Sequence, residues 1–230
     1  MGDIAEKIYS IAVDGPSGAG KSSLAKAIAA ELHILYVDTG AIYRTIGCYA
    51  RRKGVETADT EAIIALLPEV EIGMCYDAQG LQHMLLHGED VTEEIRLPEM
   101  SLYASAVSAI PEVRAFLLEM QRDFARKSSV IMDGRDIGTV VLPHADVKIF
   151  LKADVEVRAR RREIELQERG TPRPYEQVLE EMRQRDYNDT HRSAAPLRAA
   201  EDAVIVDTSD LDFRQSKEKL LEIIREKVGL

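Results

Sequence analysis

The sequence has few cysteines and lacks the segments that direct a chain into a membrane. Its two cysteines, Cys48 and Cys75, show no metal-type spacing, which favours a reducing compartment. No apolar run approaches bilayer-spanning length, and the N-terminus has no basic segment followed by an apolar one. The five histidines show no ligand spacing either. We therefore expect a cytoplasmic protein without a membrane segment.

Positive charge is also in short supply. The formal net charge is −10 and the isoelectric point is about 5.1, which disfavours non-specific binding to nucleic acid or to anionic membrane. A hydrophobic content of 45% over 230 residues is ordinary for a globular chain and predicts one domain with insertions. No long apolar stripe is evident, which favours a monomer.

Short apolar runs alternate with amphipathic helical stretches along most of the chain. The runs predict buried strands at 8–14, 34–38, 129–133, 147–151 and 203–207. The stretches predict helices near 21–32, 40–53, 111–126, 154–169, 174–190 and 213–228. This alternation is typical of an α/β fold with a five-stranded parallel sheet flanked by helices. Four of the five strands end in Asp, as strands that face a binding crevice often do.

Two segments depart from this alternation. In residues 70–100, "VEIGMCY" alternates with period two and "DAQG" offers a turn before "LQHMLLH", which predicts an inserted antiparallel hairpin. In residues 168–174, "ERGTPRP" combines a glycine with two prolines, which predicts a mobile loop between two helices.

The segment "GPSGAGKS" at 15–22 fits the phosphate-loop pattern G-x-x-x-x-G-K-[ST] at every fixed position. It lies between a predicted strand and a predicted helix, where backbone N–H groups and the helix N-terminus can face a phosphate. The lysine would reach the β- and γ-phosphates, and Ser22 could ligate Mg²⁺. We assign to ATP binding Gly15, Pro16, Ser17, Gly18, Ala19, Gly20, Lys21, Ser22 and Ser23.

Asp133 ends the apolar strand "SVIMD" and resembles a carboxylate that holds Mg²⁺ directly or through water. The alternative is a strand-terminal Asp that caps a turn. A phosphate loop does not name the reaction, because GTPase switches, motor ATPases and small-molecule kinases all use one. The guanine-specific sequence N-K-x-D is absent, and no dense basic patch indicates a nucleic-acid translocase.

Several short segments are suited to binding a second anion. "DTGAIYR" places Thr39 and Arg44 after a strand, "ASAVSAIPEVR" contains Ser105 and Arg114, and "DGRDIGT" sets Arg135 and Asp136 in a loop after a core strand. Each could instead be a surface residue or a loop ion pair.

The segment "RDYNDTHR" at 185–192 places two arginines and an aspartate on one helical face. If it is helical, Arg185, Asp189 and Arg192 lie at i, i+4 and i+7. That face is either a solvated salt-bridge ladder or an anion site.

Taken in order, these segments resemble the bacterial cytidylate kinases. The motifs are "GPSGAGKSS", "DTGAIYR", "GEDVTEEIR", "VSAIPEVR", "DGRDIGT", "PRP", "RDYNDTHR" and "APL", and the resemblance runs from about residue 8 to the C-terminus. The inserted hairpin distinguishes the chain from shikimate kinase and from short nucleoside monophosphate kinases. Ser22-Ser23 and His191 depart slightly from the family pattern.

The resemblance implies a nucleoside monophosphate kinase fold that moves the γ-phosphoryl group of ATP, with Mg²⁺, to CMP or dCMP. It implies one domain over 1–230, a nucleoside-monophosphate lobe at 38–110 that includes the hairpin, and a LID at 158–190. The implied CMP-binding residues are Thr39, Arg44, Ser105, Arg114, Arg135, Asp136, Arg185, Asp189 and Arg192. Lys21, Arg135, Arg185 and Arg192 would be catalytic, and Ser22 and Asp133 would hold the metal. The open alternatives are a kinase of another acceptor such as UMP, and a nucleotide-dependent switch.

The same resemblance places three arginines of the helix before "ERGTPRP" in the LID. Arg158, Arg161 and Arg162 lie at i, i+3 and i+4 and would close over ATP.

Overall fold

The computed structural model describes residues 8–78, 80–97, 99–168 and 170–229. The strands are β1 (Ser10–Asp14), β2 (Leu35–Asp38), β3 (Ile72–Tyr76), β4 (Gln82–Leu86), β5 (Glu89–Asp90), β6 (Val130–Gly134), β7 (Val147–Lys152) and β8 (Val204–Asp207). The α-helices are α1 (Lys21–Leu32), α2 (Thr39–Arg52), α3 (Thr60–Leu66), α4 (Met100–Ser108), α5 (Pro111–Lys127), α6 (Val155–Glu168), α7 (Tyr175–His191) and α8 (Phe213–Val228).

The predicted α/β fold is confirmed. Five strands form one sheet in the order β2-β6-β1-β7-β8, and every neighbouring pair is parallel. Alternate side chains enter opposite faces because the strand period is two. Ala12 and Met132 belong to the buried cluster that includes α2, α4 and α5, whereas Ile11 and Val13 belong to the cluster that includes α1 and α8.

Local sequence signals fix several helix ends. The Asp38 side chain accepts from Ala41 N at 2.9 Å and caps α2. Asp212 and Gln215 form a capping box at the start of α8, and Gly229 ends that helix in the left-handed region. Pro111 stands in the first turn of α5, where its missing N–H removes no helical bond.

The predicted insert is an antiparallel sheet, and it has a third short strand, β5, which pairs with β4. Two side chains attach this sheet to β2. Gln82 accepts from Asp38 N at 2.8 Å and donates to Asp38 O at 3.3 Å, and Tyr76 Oη donates to Tyr36 O at 2.8 Å. The insert is therefore bonded directly to the strand that leads into α2.

Some elements were not predicted from the sequence. The helices α3 and α4 are short, and a π-type turn at Ile137–Val141 follows β6. In the predicted loop at 168–174, α6 ends at Glu168 and α7 begins at Tyr175, while Arg169 lies outside the described residues. Among the helices of the described ranges, none combines the length and the apolar character needed to cross a bilayer.

Candidate active site

Three strands bring their carboxyl ends together at one edge of the parallel sheet. Asp14 of β1 lies opposite Gly134 of β6, and Asp38 of β2 lies opposite Asp133. The phosphate loop leaves β1 at Gly15, where a Cβ would stand 2.1 Å from Leu151 O, so only glycine fits. All the candidate ligand-binding loops that follow these strands therefore open at the same edge.

The phosphate loop leads directly into α1, as its sequence predicts. Gly20 precedes the helix with φ of 87°, and α1 begins at Lys21. Lys21 is buried, and its Nζ donates to Pro16 O at 2.7 Å. Burial is the main cause that holds the pKa of Lys21 well below its usual range, and the charge of Arg135 is the second. Lys21 Nζ is thus buried and donates to a neutral carbonyl of the same loop.

Ser22 and Asp133, the two predicted metal ligands, are in contact. Ser22 Oγ donates to Asp133 Oδ2 at 2.8 Å, and Tyr36 Oη donates to Asp133 Oδ1 at 2.9 Å. Burial and then the charge of Asp38 raise the pKa of Asp133 to about 6. Among the described residues, no three His, Cys, Asp or Glu side chains gather as a metal cage. A hydroxyl and a carboxylate beside a phosphate loop fit Mg²⁺, which takes its other ligands from phosphates and water.

Arginines converge on the space in front of the phosphate loop. Arg44 pairs with Asp38 at 2.9 Å, and Arg135 Nε donates to Asp189 Oδ2 at 2.7 Å. Arg185 has a buried Nε without a hydrogen-bond partner. Its pKa is lowered to about 10, mainly by burial and secondly by the charge of Arg135. Burial and neighbouring cations together lower the pKa values of Lys21 and Arg185, and an anion placed among these cations would be stabilised.

The face of α7 that carries Asp189 points into the molecule. Asp189 is 4% exposed, and its ion-pair partner is Arg135 from the loop after β6. Burial would raise the pKa of Asp189, but the charges of Arg135 and Arg185 outweigh it and lower the pKa. The segment 185–192 is therefore part of a tertiary cluster of charges and not a solvated ladder.

A second cluster surrounds Asp136. Its carboxylate is paired with Arg114, and Arg192 Nη2 lies 3.6 Å from Asp136 Oδ1. Burial raises the pKa of Asp136, although the charges of Arg114 and Arg192 oppose this. Arg192 Nη1 donates to Ser108 Oγ at 3.2 Å, while its buried Nη2 lacks a hydrogen-bond partner. Asp136, Arg114 and Arg192 thus form a nearly buried cluster of charged groups, the Asp136 cluster.

Two predicted CMP-binding hydroxyls have a less direct position. The Thr39 hydroxyl is buried and donates to Asp133 O at 2.7 Å, so its proton is already engaged with the sheet. Ser105 is half-buried on α4, and its carbonyl accepts from Ser108 Oγ at 3.1 Å. In this structure Ser108, rather than Ser105, makes the hydroxyl contact with Arg192.

The three arginines predicted to close over ATP each have different partners. Arg158 is buried and donates to Ser17 O at 3.0 Å and to Asp186. Arg161 donates to the carbonyls of Thr208 and Leu211 after β8. Arg162 pairs with Glu165, and its charge also lowers the pKa of Arg185. Arg158 therefore contacts the phosphate loop, Arg161 contacts the chain after β8, and the charge of Arg162 acts on Arg185.

Asp38, Tyr36 and Ser108 each contact a predicted site residue, although none of the three is itself predicted from the sequence. Asp38 could have been found as one of the strand-terminal aspartates. Tyr36 and Ser108 carry no such signal, because only the packing of β2 on β6 and of α4 on α7 brings them to the site.

A parallel sheet, a phosphate loop between β1 and α1, and a serine–aspartate pair beside it define a P-loop nucleotide-binding fold. In agreement, a solved structure of an uncharacterized protein from Eubacterium ventriosum superposes with a TM-score of 0.51 at 15% identity, covering 96% of this chain and 99% of that one. At that identity the likeness shows the fold alone.

Sequence comparison identifies the family. The family model described as "Cytidylate kinase" matches residues 11–226. The cytidylate kinase of Caldicellulosiruptor saccharolyticus is 48% identical over 223 residues, which are 97% of this chain and 98% of that protein. The cytidylate kinase of Carboxydothermus hydrogenoformans is 48% identical over 94% of this chain and 97% of its own length. The chain therefore belongs to the cytidylate kinase family.

Proposed function

We propose that this protein transfers the γ-phosphoryl group of ATP to CMP or dCMP, giving ADP and CDP or dCDP. The observation that carries the proposal is the cluster of cations between the phosphate loop and the Asp136 cluster. Arg185 has an unpartnered buried Nε there, and Lys21 contacts a neutral carbonyl. Two phosphorylated ligands that meet in this space would supply the missing negative charge.

On the donor side, the backbone of the phosphate loop and the N-terminus of α1 would bind the phosphates of ATP. Lys21 would exchange Pro16 O for phosphate oxygens. Ser22 and Asp133 would hold Mg²⁺, which when bound neutralises charge on the β- and γ-phosphates. Tyr36 would keep the Asp133 carboxylate oriented through its 2.9 Å hydrogen bond.

On the acceptor side, Asp136 would accept a hydrogen bond from the 4-amino group of cytosine. Arg114 and Ser105 would donate to N3 and to the 2-keto oxygen. The ribose would contact Asp189, and Thr39 would lie close to CMP. The acceptor phosphate would be held by Arg44, Arg135, Arg185 and Arg192.

Transfer itself needs fixed positive charge more than acid–base chemistry. The transferring group passes through a loose transition state whose charge lies on its equatorial oxygens. Arg135 and Arg185 belong to different elements, so they can face these oxygens from two sides. Asp189 bonds Arg135 at 2.7 Å and orients it without entering the reaction. This arrangement stabilises charge as it develops.

We also propose that residues 38–110 act as the nucleoside-monophosphate lobe and residues 158–190 as the LID. The hydrogen bonds from Gln82 and Tyr76 to β2 support the nucleoside-monophosphate lobe, because a displacement of the insert would move β2 and with it Thr39 and Arg44. The contacts of Arg158 with Ser17 and Asp186 support the LID, since they join α6 and α7 to the phosphate loop. We propose that Arg158, Arg161 and Arg162 of α6 close over ATP, with the charge of Arg162 already acting on Arg185. We further propose a monomer that works in the cytoplasm.

The test is a steady-state assay of ADP formation with ATP, Mg²⁺ and a panel of nucleoside monophosphates. We expect turnover with CMP and dCMP, much weaker turnover with UMP, and formation of CDP or dCDP in equal amount to ADP. ADP release without a phosphorylated acceptor would instead support a nucleotide-dependent switch. The highest kcat/KM with UMP would support a kinase whose acceptor is UMP. Either result would overturn the proposal.

A further inference from the structure

Asp14 is a buried carboxylate at the end of β1 to which the mechanism above gives no role. It is 4% exposed and directly precedes the phosphate loop. Its Oδ1 accepts from Ile137 N and its Oδ2 from Gly138 N, each at 2.7 Å. These two amides open the π-type turn Ile137–Val141, so they have no carbonyl partner within that turn. One side chain of β1 therefore caps the turn that follows β6.

The turn that Asp14 caps begins next to the proposed base reader. Ile137 N belongs to the peptide that joins Asp136 to Ile137, so its bond to Asp14 fixes the backbone on one side of Asp136. The carbonyl of the same peptide, Asp136 O, accepts from Val140 N at 2.9 Å, so both polar groups of that peptide are bonded. The direction of the Asp136 side chain toward Arg114 depends on this backbone.

As a carboxylate, Asp14 offers two accepting oxygens, one for each backbone amide. Burial raises the pKa of Asp14 to about 6, and the bonds from Gly138 and Ile137 oppose the rise, so the group is ionised at neutral pH. An asparagine has the same shape but one oxygen and one NH₂ group. One of the two backbone amides would then face a donor, and the turn would have to move or lose a bond.

We propose that Asp14 is a positioning residue for the acceptor nucleotide, because it holds the loop that carries Arg135 and Asp136 against the strand that carries the phosphate loop. The inference rests on the proposed function and adds a residue to it. The phosphate loop has an anchor of its own, since Gly15 packs against Leu151 O. We therefore expect a change at Asp14 to act on CMP and to leave ATP binding nearly intact.

The experiment compares Asp14→Asn with Asp207→Asn, a matched control at the end of β8 whose carboxylate contacts Ser209 and Lys152. We expect Asp14→Asn to raise KM for CMP roughly tenfold and to narrow the CMP to UMP ratio of kcat/KM, as the loss of one charge-assisted bond would. KM for ATP should change less than about twofold. The control should keep all three values.

A folded Asp14→Asn protein with the wild-type KM for CMP and the wild-type ratio would overturn the proposal, even if its stability had fallen. If the variant does not fold, amide hydrogen exchange of the wild-type protein decides. Slow exchange at Ile137 and Gly138, with and without CMP, supports the cap, and fast exchange in both states refutes it. Failure of the proposed function is a separate result, because it would appear as a wild-type protein that does not phosphorylate CMP.

Discussion

Asp136→Asn is the substitution that tests most directly whether Asp136 recognises the cytosine base. Asp136 is the negative group between two guanidiniums, and the side chains of Asp136, Arg114 and Arg192 are 5%, 10% and 7% exposed. Asparagine keeps the shape of the side chain but removes its charge. Two nearly buried arginines would then face each other across a neutral amide.

The substitution is expected to change two quantities, the free energy of unfolding and the CMP to UMP ratio of kcat/KM. Breaking a buried ion pair by removing one partner destabilises a protein by about 3–5 kcal/mol, because the remaining charge is buried without compensation. We expect the free energy of unfolding of ligand-free enzyme to fall by roughly the lower value, since an amide oxygen still accepts one bond. In the bound state, a hydrogen bond to a charged group contributes about 1.5–3 kcal/mol, so the CMP to UMP ratio of kcat/KM should narrow about 10- to 100-fold.

The assay measures kcat/KM for CMP and for UMP at saturating ATP, together with urea unfolding of the ligand-free protein. Asp123→Asn on α5 is the matched control, because Asp123 forms an exposed ion pair with Arg126 at 2.6 Å. It should change stability by less than about 1 kcal/mol and leave the ratio intact. An active Asp136→Asn protein with an unaltered CMP to UMP ratio would show that Asp136 does not read the base.

Four further outcomes are expected. Lys21→Ala should fold, as judged by circular dichroism, and lose roughly 10²–10³ in rate; near wild-type turnover at saturating ATP would contradict its role. Tyr36→Phe should weaken Mn²⁺ binding in the presence of ADP about tenfold, measured by electron paramagnetic resonance, whereas unchanged binding would show that Asp133 needs no orientation by Tyr36. The pKa of Asp14 is raised from 3.8 to about 6, so the folded protein binds this proton more tightly than the unfolded chain does. The resulting contribution to the free energy of unfolding is present at low pH and is lost as pH rises through about 6. The stability difference between wild type and Asp14→Asn should therefore be larger by about 1 kcal/mol at pH 5 than at pH 7.5 in urea titrations, and a difference independent of pH would refute this. A bisubstrate analogue should slow amide exchange in α6; equal protection with and without it would remove the LID proposal.

The elements that depend on residues close together in the chain could be predicted from the sequence. Strand runs such as "SVIMD" and the glycine spacing of the phosphate loop depend on periodicity and backbone freedom, which neighbouring residues determine. The parallel sheet and the start of α1 at Lys21 were predicted for that reason and are confirmed. The short helices α3 and α4 were not predicted, because a few turns carry too little periodic signal to separate a helix from a loop.

Which charges face one another was decided by the tertiary structure. Arg158, Arg161 and Arg162 share a helix and similar chemistry, yet two of them bond backbone carbonyls of different elements. Asp14 was visible only as one of several strand-terminal aspartates, and its two amide partners lie more than a hundred residues away on the chain. Hydrogen-bonding capacity is a property of the residue type, but the partner that uses it is set by how strands and helices pack. The sequence therefore determined the phosphate loop and the supply of arginines, and the packing determined which of them meet at the site.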